Sequence, residues 1–174
     1  YVGWLLNSTK GFAAKLVNPG GVEVWKSCGG NVTSLDTTID HFDVTPRQII
    51  SGVATAVDEL GLPHPVHIHA NNLGVPGNYN TTLDTMKALE GHRGHITHIQ
   101  VHSYGGDPDD ERTFCPQVPD LVEYVESQQN ITNDAGPVMF GDTTSMTGGG
   151  PPGHSLTQRV VSRWVSSATE TKPG

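Results

Sequence analysis

Aromatic side chains make up only 6% of this 174-residue sequence and charged ones only 16%. No apolar run approaches the roughly 20 residues of a membrane-spanning helix, so the membrane is not an expected partner. Basic residues are scarce, with ten Lys and Arg against eighteen Asp and Glu and a net charge of −8. That balance repels phosphate backbones and anionic lipid, which excludes nucleic acid as a natural partner. The two cysteines, Cys28 and Cys115, have no C-x-x-C spacing. They read as free thiols of a reducing, cytoplasmic compartment rather than a disulfide framework. On that reading the Asn-x-Ser/Thr triplets at Asn7, Asn31, Asn80 and Asn130 are chance. Neither a G-x-G-x-x-G after a strand nor a P-loop is present, so the nucleotide-binding α/β folds lose their main support. What the chain has in excess is glycine (21) and proline (12), enough for many ordered loops within one domain.

Short apolar runs alternate with helical periodicity. Phe12 to Val17 is strand-like and stops at the breaker Asn18-Pro19-Gly20-Gly21. Thr45 and Pro46 open a helix whose inward face is Ile49, Ile50, Val53, Ala54, Val57 and Leu60, and Gly61 closes it. A second strand, Val66 to His69, runs into the loop Ala70-Asn71-Asn72-Leu73-Gly74-Val75-Pro76-Gly77. Thr81 or Thr82 starts a further helix with Leu83, Met86 and Leu89 inward, and Ile96 to Val101 forms a third strand. A helix over Val118 to Gln129, a weaker strand at Asn130 to Ala135 or Val138 to Phe140, and a last helix over Leu156 to Ser167 complete the series. Alternating strands and helices predict an α/β fold with a parallel sheet. About four βα units make half of a (β/α)8 barrel, so residues 1–174 read as a single segment of a barrel. Tyr1-Val2-Gly3-Trp4-Leu5-Leu6 already lies inside a helical pattern with no initiator Met, which reads as a piece of a longer chain.

Chemistry concentrates in the histidines. There are nine, most of them between His64 and His102, in two groups: His64-x-x-His67-x-His69 on one strand and His95-x-x-His98-x-x-x-His102 on and after the next. His67 and His69 share a strand face. Neutral imidazole is the commonest protein ligand of divalent metals, and adjacent parallel strands bring their terminal residues together. A metal held at strand ends therefore competes with the plainer reading of histidines that cap strands. Lys15 stands at a strand end beside apolar neighbours, where a cation is costly to bury. It either reaches water, or loses its charge and reacts, as a Schiff base or as a carbamate able to bridge two metal ions.

A strand-end lysine followed by histidines on the next two strands resembles the dinuclear branch of the amidohydrolase superfamily. Four segments sharpen the likeness: Lys15-Leu-Val-Asn-Pro-Gly-Gly21; His67-Ile-His69-Ala-Asn-Asn-Leu-Gly74 with Pro76-Gly77-Asn78; Thr97-His98-Ile-Gln-Val-His102-Ser-Tyr-Gly-Gly106; and Phe140-Gly-Asp-Thr-Thr-Ser-Met-Thr147. Together they are similar to the alpha subunits of formylmethanofuran dehydrogenase and of the formyltransferase/hydrolase complex. The resemblance implies a metal-dependent amidohydrolase barrel with two zinc ions bridged by carbon dioxide carried as a carbamate on Lys15. His69 and His98 are the implied ligands, with His67 and His102 as alternates, and Asn71 and Asn72 are placed toward the substrate. It implies hydrolysis or formation of the N-formyl amide of a methanofuran-type cofactor, within a multisubunit complex of one-carbon metabolism.

The first-strand His-x-His pair and the last-strand aspartate of that family fall outside this segment, and neither Asp142 nor Asp134 takes the aspartate's role. No catalytic carboxylate is therefore assigned, and the segment alone is expected to be inactive. Gly148 stands where the family has a more polar residue. Three alternatives stay open: an amidohydrolase of a cyclic amide, a Schiff-base aldolase using Lys15, and a non-catalytic scaffold subunit.

Overall fold

The computed structural model describes residues 1–28 and 30–135. The expected helix over Leu156 to Ser167, the alternative strand Val138 to Phe140 and the segment from Phe140 to Thr147 lie outside them. The strands are β1 (Lys15–Val17), β2 (Val66–His69), β3 (Gly94–Ile96), β4 (Tyr104–Asp107), β5 (Asp110–Pro116) and β6 (Ile131–Asn133). The helices are α1 (Val2–Thr9), α2 (Gly21–Cys28), α3 (Pro46–Glu59), α4 (Asn78–Lys87) and α5 (Val118–Glu126). Strands β1, β2, β3 and β6 form one parallel sheet in that spatial order, as the alternating pattern requires, and among the described residues β1 and β6 are its edges.

The register sorts the sheet into two chemically different faces. Lys15 pairs with His67, His67 with His95, and His95 with Thr132, so these four stand in one row across the strands. The next row, Leu16, Ile68, Ile96 and Asn133, points to the opposite side. There Val66, Ile68 and Ile96 are fully buried against Ile50, Ala54 and Val57 of α3, Met86 of α4 and Leu121 of α5. At about 1.5–3 kcal/mol for each fully buried aliphatic side chain, this layer supplies most of what holds sheet to helices.

Helix α3 begins as its sequence dictates. Thr45 Oγ1 accepts the Gln48 N–H at 3.2 Å, Gln48 Oε1 accepts the Thr45 N–H at 2.9 Å, and Pro46 occupies the first turn. Leu60, expected on the inward face, is instead the C-cap and is 40% exposed, because the helix has already ended. Helix α4 starts at Asn78, ahead of Thr81 and Thr82. Gly77 turns the chain with φ +81°, at a place where a Cβ would meet the Gly106 carbonyl oxygen. The buried Asn78 amide then donates to the Asn72 and Val101 carbonyls at 2.9 and 2.8 Å and accepts the Tyr104 N–H at 2.9 Å.

Two expectations are corrected. The third strand is Gly94–Ile96 and not Ile96 to Val101, because His98 adopts a left-handed conformation and Ile99–Val101 form a single 3-10 turn. Helix α2 and the antiparallel β4–β5 hairpin were not expected at all. Gly20, at φ +73°, confines the breaker to one residue, so the chain can enter α2 at Gly21. At the N-terminal ends of the sheet strands, Asp58 accepts the Arg93 Nε–H at 2.9 Å, the Arg93 backbone N–H at 3.1 Å and a bond from His92 Nδ1 at 3.1 Å. Arg93 also donates to the Leu62 carbonyl, and Asn130 to that of His92, tying α3 to the segments that lead into β2, β3 and β6.

Candidate functional site

In parallel α/β sheets ligands bind beyond the carboxyl ends of the strands, and it is there that the imidazoles gather. His69 is the last residue of β2. Its ring centroid lies 5.6 Å from that of His98 and 5.1 Å from that of His102, edge-on to both. One row earlier the rings of His67 and His95 sit 4.5 Å apart. Lys15 occupies this earlier row, and its exposed side chain extends from the same face as His67 and His69. The pair level with His69 on β1 is Val17, so Lys15 starts two residues short of His69, about 7 Å along the strand.

The electrostatics keep these rings neutral. Burial above all, then the neighbouring His98 and Lys15, lowers His69 from the ordinary 6.5 to about 4. Burial, with His69 and His98 adding to it, lowers His102 to about 3. His67 is also lowered, by burial and by the proximity of His95 and Lys15. His69 Nε2 is buried without a hydrogen-bond partner, as are both ring nitrogens of the fully buried His102. A neutral ring with an unpartnered nitrogen offers a lone pair, which is what a metal requires of histidine.

His95 differs. Its Nε2 lies 3.0 Å from Asp134 Oδ2 and its Nδ1 2.8 Å from Thr132 Oγ1. An ionised carboxylate only accepts, so Nε2 carries the proton and Nδ1 accepts from the threonine hydroxyl. With both nitrogens engaged, His95 is a supporting residue. Asp134 is held below the usual carboxylate range, first by His95 and then by the His98 backbone N–H that it accepts at 2.7 Å.

The two asparagines stand in structural bonds. Asn71 is buried and donates to the Pro19 carbonyl at 2.9 Å, while its Oδ1 has no partner. Asn72, left-handed at φ 62°, accepts the Val32 N–H at 3.0 Å and donates to the Val32 carbonyl at 2.7 Å. It thereby stitches the 30–35 loop to the end of β2 as a neighbouring strand would.

Thus the structure gathers His69, His98 and His102, and sets Lys15 beside His67 and His95. Among the described residues no set of three or more His, Cys, Asp or Glu is arranged to hold a metal ion. The donors fit zinc in kind, being neutral imidazoles with an amine on the same face, but not in number, since zinc generally takes three protein ligands plus water. Asp134 escaped sequence reasoning, although one signal pointed to it: by strand alternation His98 belongs with Ile96, on the face away from His69.

Fold and site define a parallel α/β protein whose sheet gathers neutral imidazoles at the carboxyl ends of adjacent strands. The chain is homologous to the alpha subunits of the formylmethanofuran-handling complexes. It is 42% identical over 185 residues to protein FwdA of Methanocaldococcus jannaschii, an alignment that takes in 100% of this chain and 32% of FwdA. It is 37% identical over 145 residues to FhcA, the first of the Fhc formyltransferase/hydrolase complex subunits of Methylorubrum extorquens, covering 82% of this chain and 26% of that protein. The crystal structure of the FhcABCD complex from Methylorubrum extorquens, solved with methylofuran, superposes with a TM-score of 0.71 at 35% identity, over 80% of this chain and 26% of the matched one. The chain therefore spans about a third or less of the length of these relatives. No family model matches it.

Proposed function

We propose that this chain is part of a metal-dependent amidohydrolase barrel that hydrolyses or forms the N-formyl amide of a methanofuran-type cofactor. On this reading it works in the cytoplasm within a multisubunit complex, as the names of FwdA and FhcA suggest. One observation carries the proposal: in a homologue of those proteins, the unpartnered His69 ring lies beside that of His98, on the face from which Lys15 extends.

Zinc, when bound, supplies Lewis acidity that brings water near neutrality as a nucleophile and polarises a formamide carbonyl. Lys15, His69 and His98 are the residues that would hold it. Burial readies His69 by keeping its ring unprotonated far below pH 7. The exposed Lys15 amine, in its uncharged form, adds to carbon dioxide and releases one proton, giving an anionic two-oxygen ligand where the free lysine offers one nitrogen. His95 and Asp134 brace the same face without donating to the metal.

The test is a zinc titration of the chain under carbon dioxide, beside Lys15→Ala, Lys15→Arg and His69→Ala variants shown by circular dichroism to be folded. Saturable binding that weakens tenfold or more in each variant supports the assignment, the arginine variant because it keeps the charge yet cannot carry a carbamate. Equal affinity in all four proteins refutes it.

A further inference from the structure

His98 lies on the wrong strand parity for the place where its ring is found. In an extended chain His95 and Thr97 point to one side, and Ile96 and His98 to the other. Ile96 is fully buried among the helices, so an undistorted strand would turn His98 away from His69. The ring nevertheless lies 5.6 Å from His69. The reversal is made at the backbone: residue 98 has φ 56° and ψ 41°, the left-handed region, which disfavours a side chain of this kind by roughly 1–2 kcal/mol. Such a conformation persists only where neighbouring groups over-determine it.

Asp134 supplies those groups. Its Oδ1 accepts the His98 N–H at 2.7 Å. Its own N–H donates to the Ile96 carbonyl at 3.2 Å, and its carbonyl accepts the Ile99 N–H at 2.9 Å. The residues before, at and after the reversal are thus bonded to one residue following β6, and its second carboxylate oxygen is occupied by His95 Nε2 at 3.0 Å. We infer that Asp134 is a positioning residue that holds residue 98 left-handed and so aims the His98 ring at His69. The consequence for metal affinity rests on the zinc reading above, whereas the positioning itself does not.

The experiment compares the metal-free chain with Asp134→Ala and Asp134→Asn by NMR, reading the cross-relaxation between the ring protons of His69 and His98. Contacts between β2 and β3 serve as the internal control for folding. The alanine variant is expected to lose the ring-to-ring signal with the strand contacts intact. The asparagine variant, whose amide oxygen still accepts the His98 N–H, is expected to keep it. An undiminished ring signal in Asp134→Ala overturns the inference. Should that variant not fold, combining it with His98→Gly restores folding if the carboxylate serves to hold a left-handed residue, and a double variant that still fails to fold overturns it. In zinc titrations Asp134→Ala is expected to weaken binding about 10- to 100-fold, as loss of a supporting residue does elsewhere. If the parent chain takes up no zinc while the ring signal behaves as described, the zinc reading falls and the positioning role stands.

Discussion

Replacing His102 by leucine should flatten the acid sensitivity of this chain. His102 is fully buried, neither ring nitrogen has a partner, and its pKa falls from 6.5 to about 3. In the unfolded chain the same ring takes up a proton as pH drops through 6.5. The unfolded state then binds more protons than the folded one, so stability declines with falling pH from 6.5 down to about 3. Each pH unit in that window removes about 1.36 kcal/mol per group, hence roughly 2 kcal/mol for His102 between pH 6.5 and 5. His69, lowered to about 4, adds a similar loss, giving about 4 kcal/mol in all against the 5–15 kcal/mol of a typical domain. The lowered carboxylates of Asp58 and Asp134 start from 3.8 and do not enter this range. Urea titrations at pH 7 and pH 5, with chelator present, measure the effect. His102→Leu should match or exceed the parent at pH 7, because no hydrogen bond is lost, and should shed about half of the parent's acid destabilisation. Parallel declines in the two proteins would show that His102 is not a desolvated neutral ring.

Other outcomes follow from the opposite end of the sheet and from the helices. Asp58→Ala removes the acceptor shared by Arg93 and His92 and should lower stability by about 2–4 kcal/mol in urea unfolding at pH 7. The same substitution should leave zinc affinity unchanged, which titration can check. Thr45→Ala breaks the capping box of α3 and should cost about 1 kcal/mol, seen as a lower urea midpoint with an unchanged slope. Asn72→Ala opens the stitch to Val32 and should speed amide exchange at Val32 while leaving exchange at Ile68 unaltered.

The parallel sheet was legible because its strands carry a readable period: Val66-His67-Ile68-His69 alternates between core and site, and β2 formed where the pattern placed it. Helix α3 was legible for a local reason, its cap and first-turn proline. The β4–β5 hairpin was not, because most of its residues face water and leave no apolar alternation to detect. The boundary of β3 was misplaced since Ile96 to Val101 reads as a β-rich run, and nothing local in it shows that a carboxylate 36 residues later bends residue 98. At the site, the histidines and Lys15 could be nominated by residue type and strand position. Which rings meet is a tertiary fact. Asn71 and Asn72 were nominated for substrate, yet the structure uses their amides to fasten loops.

The row formed by Lys15, His67, His95 and Thr132 has a consequence for how such a protein can change over time. Its members contribute almost nothing to the packed layer, which lies on the other side of the strands and is filled by Val66, Ile68 and Ile96. Exchanging one row residue for another of different chemistry disturbs no helix contact, whereas one altered methyl group beneath it is felt at once. The sheet thereby separates heritable stability from heritable chemistry at the thickness of a single pleat. New reactivity can be tried on one side while the other keeps the chain folded.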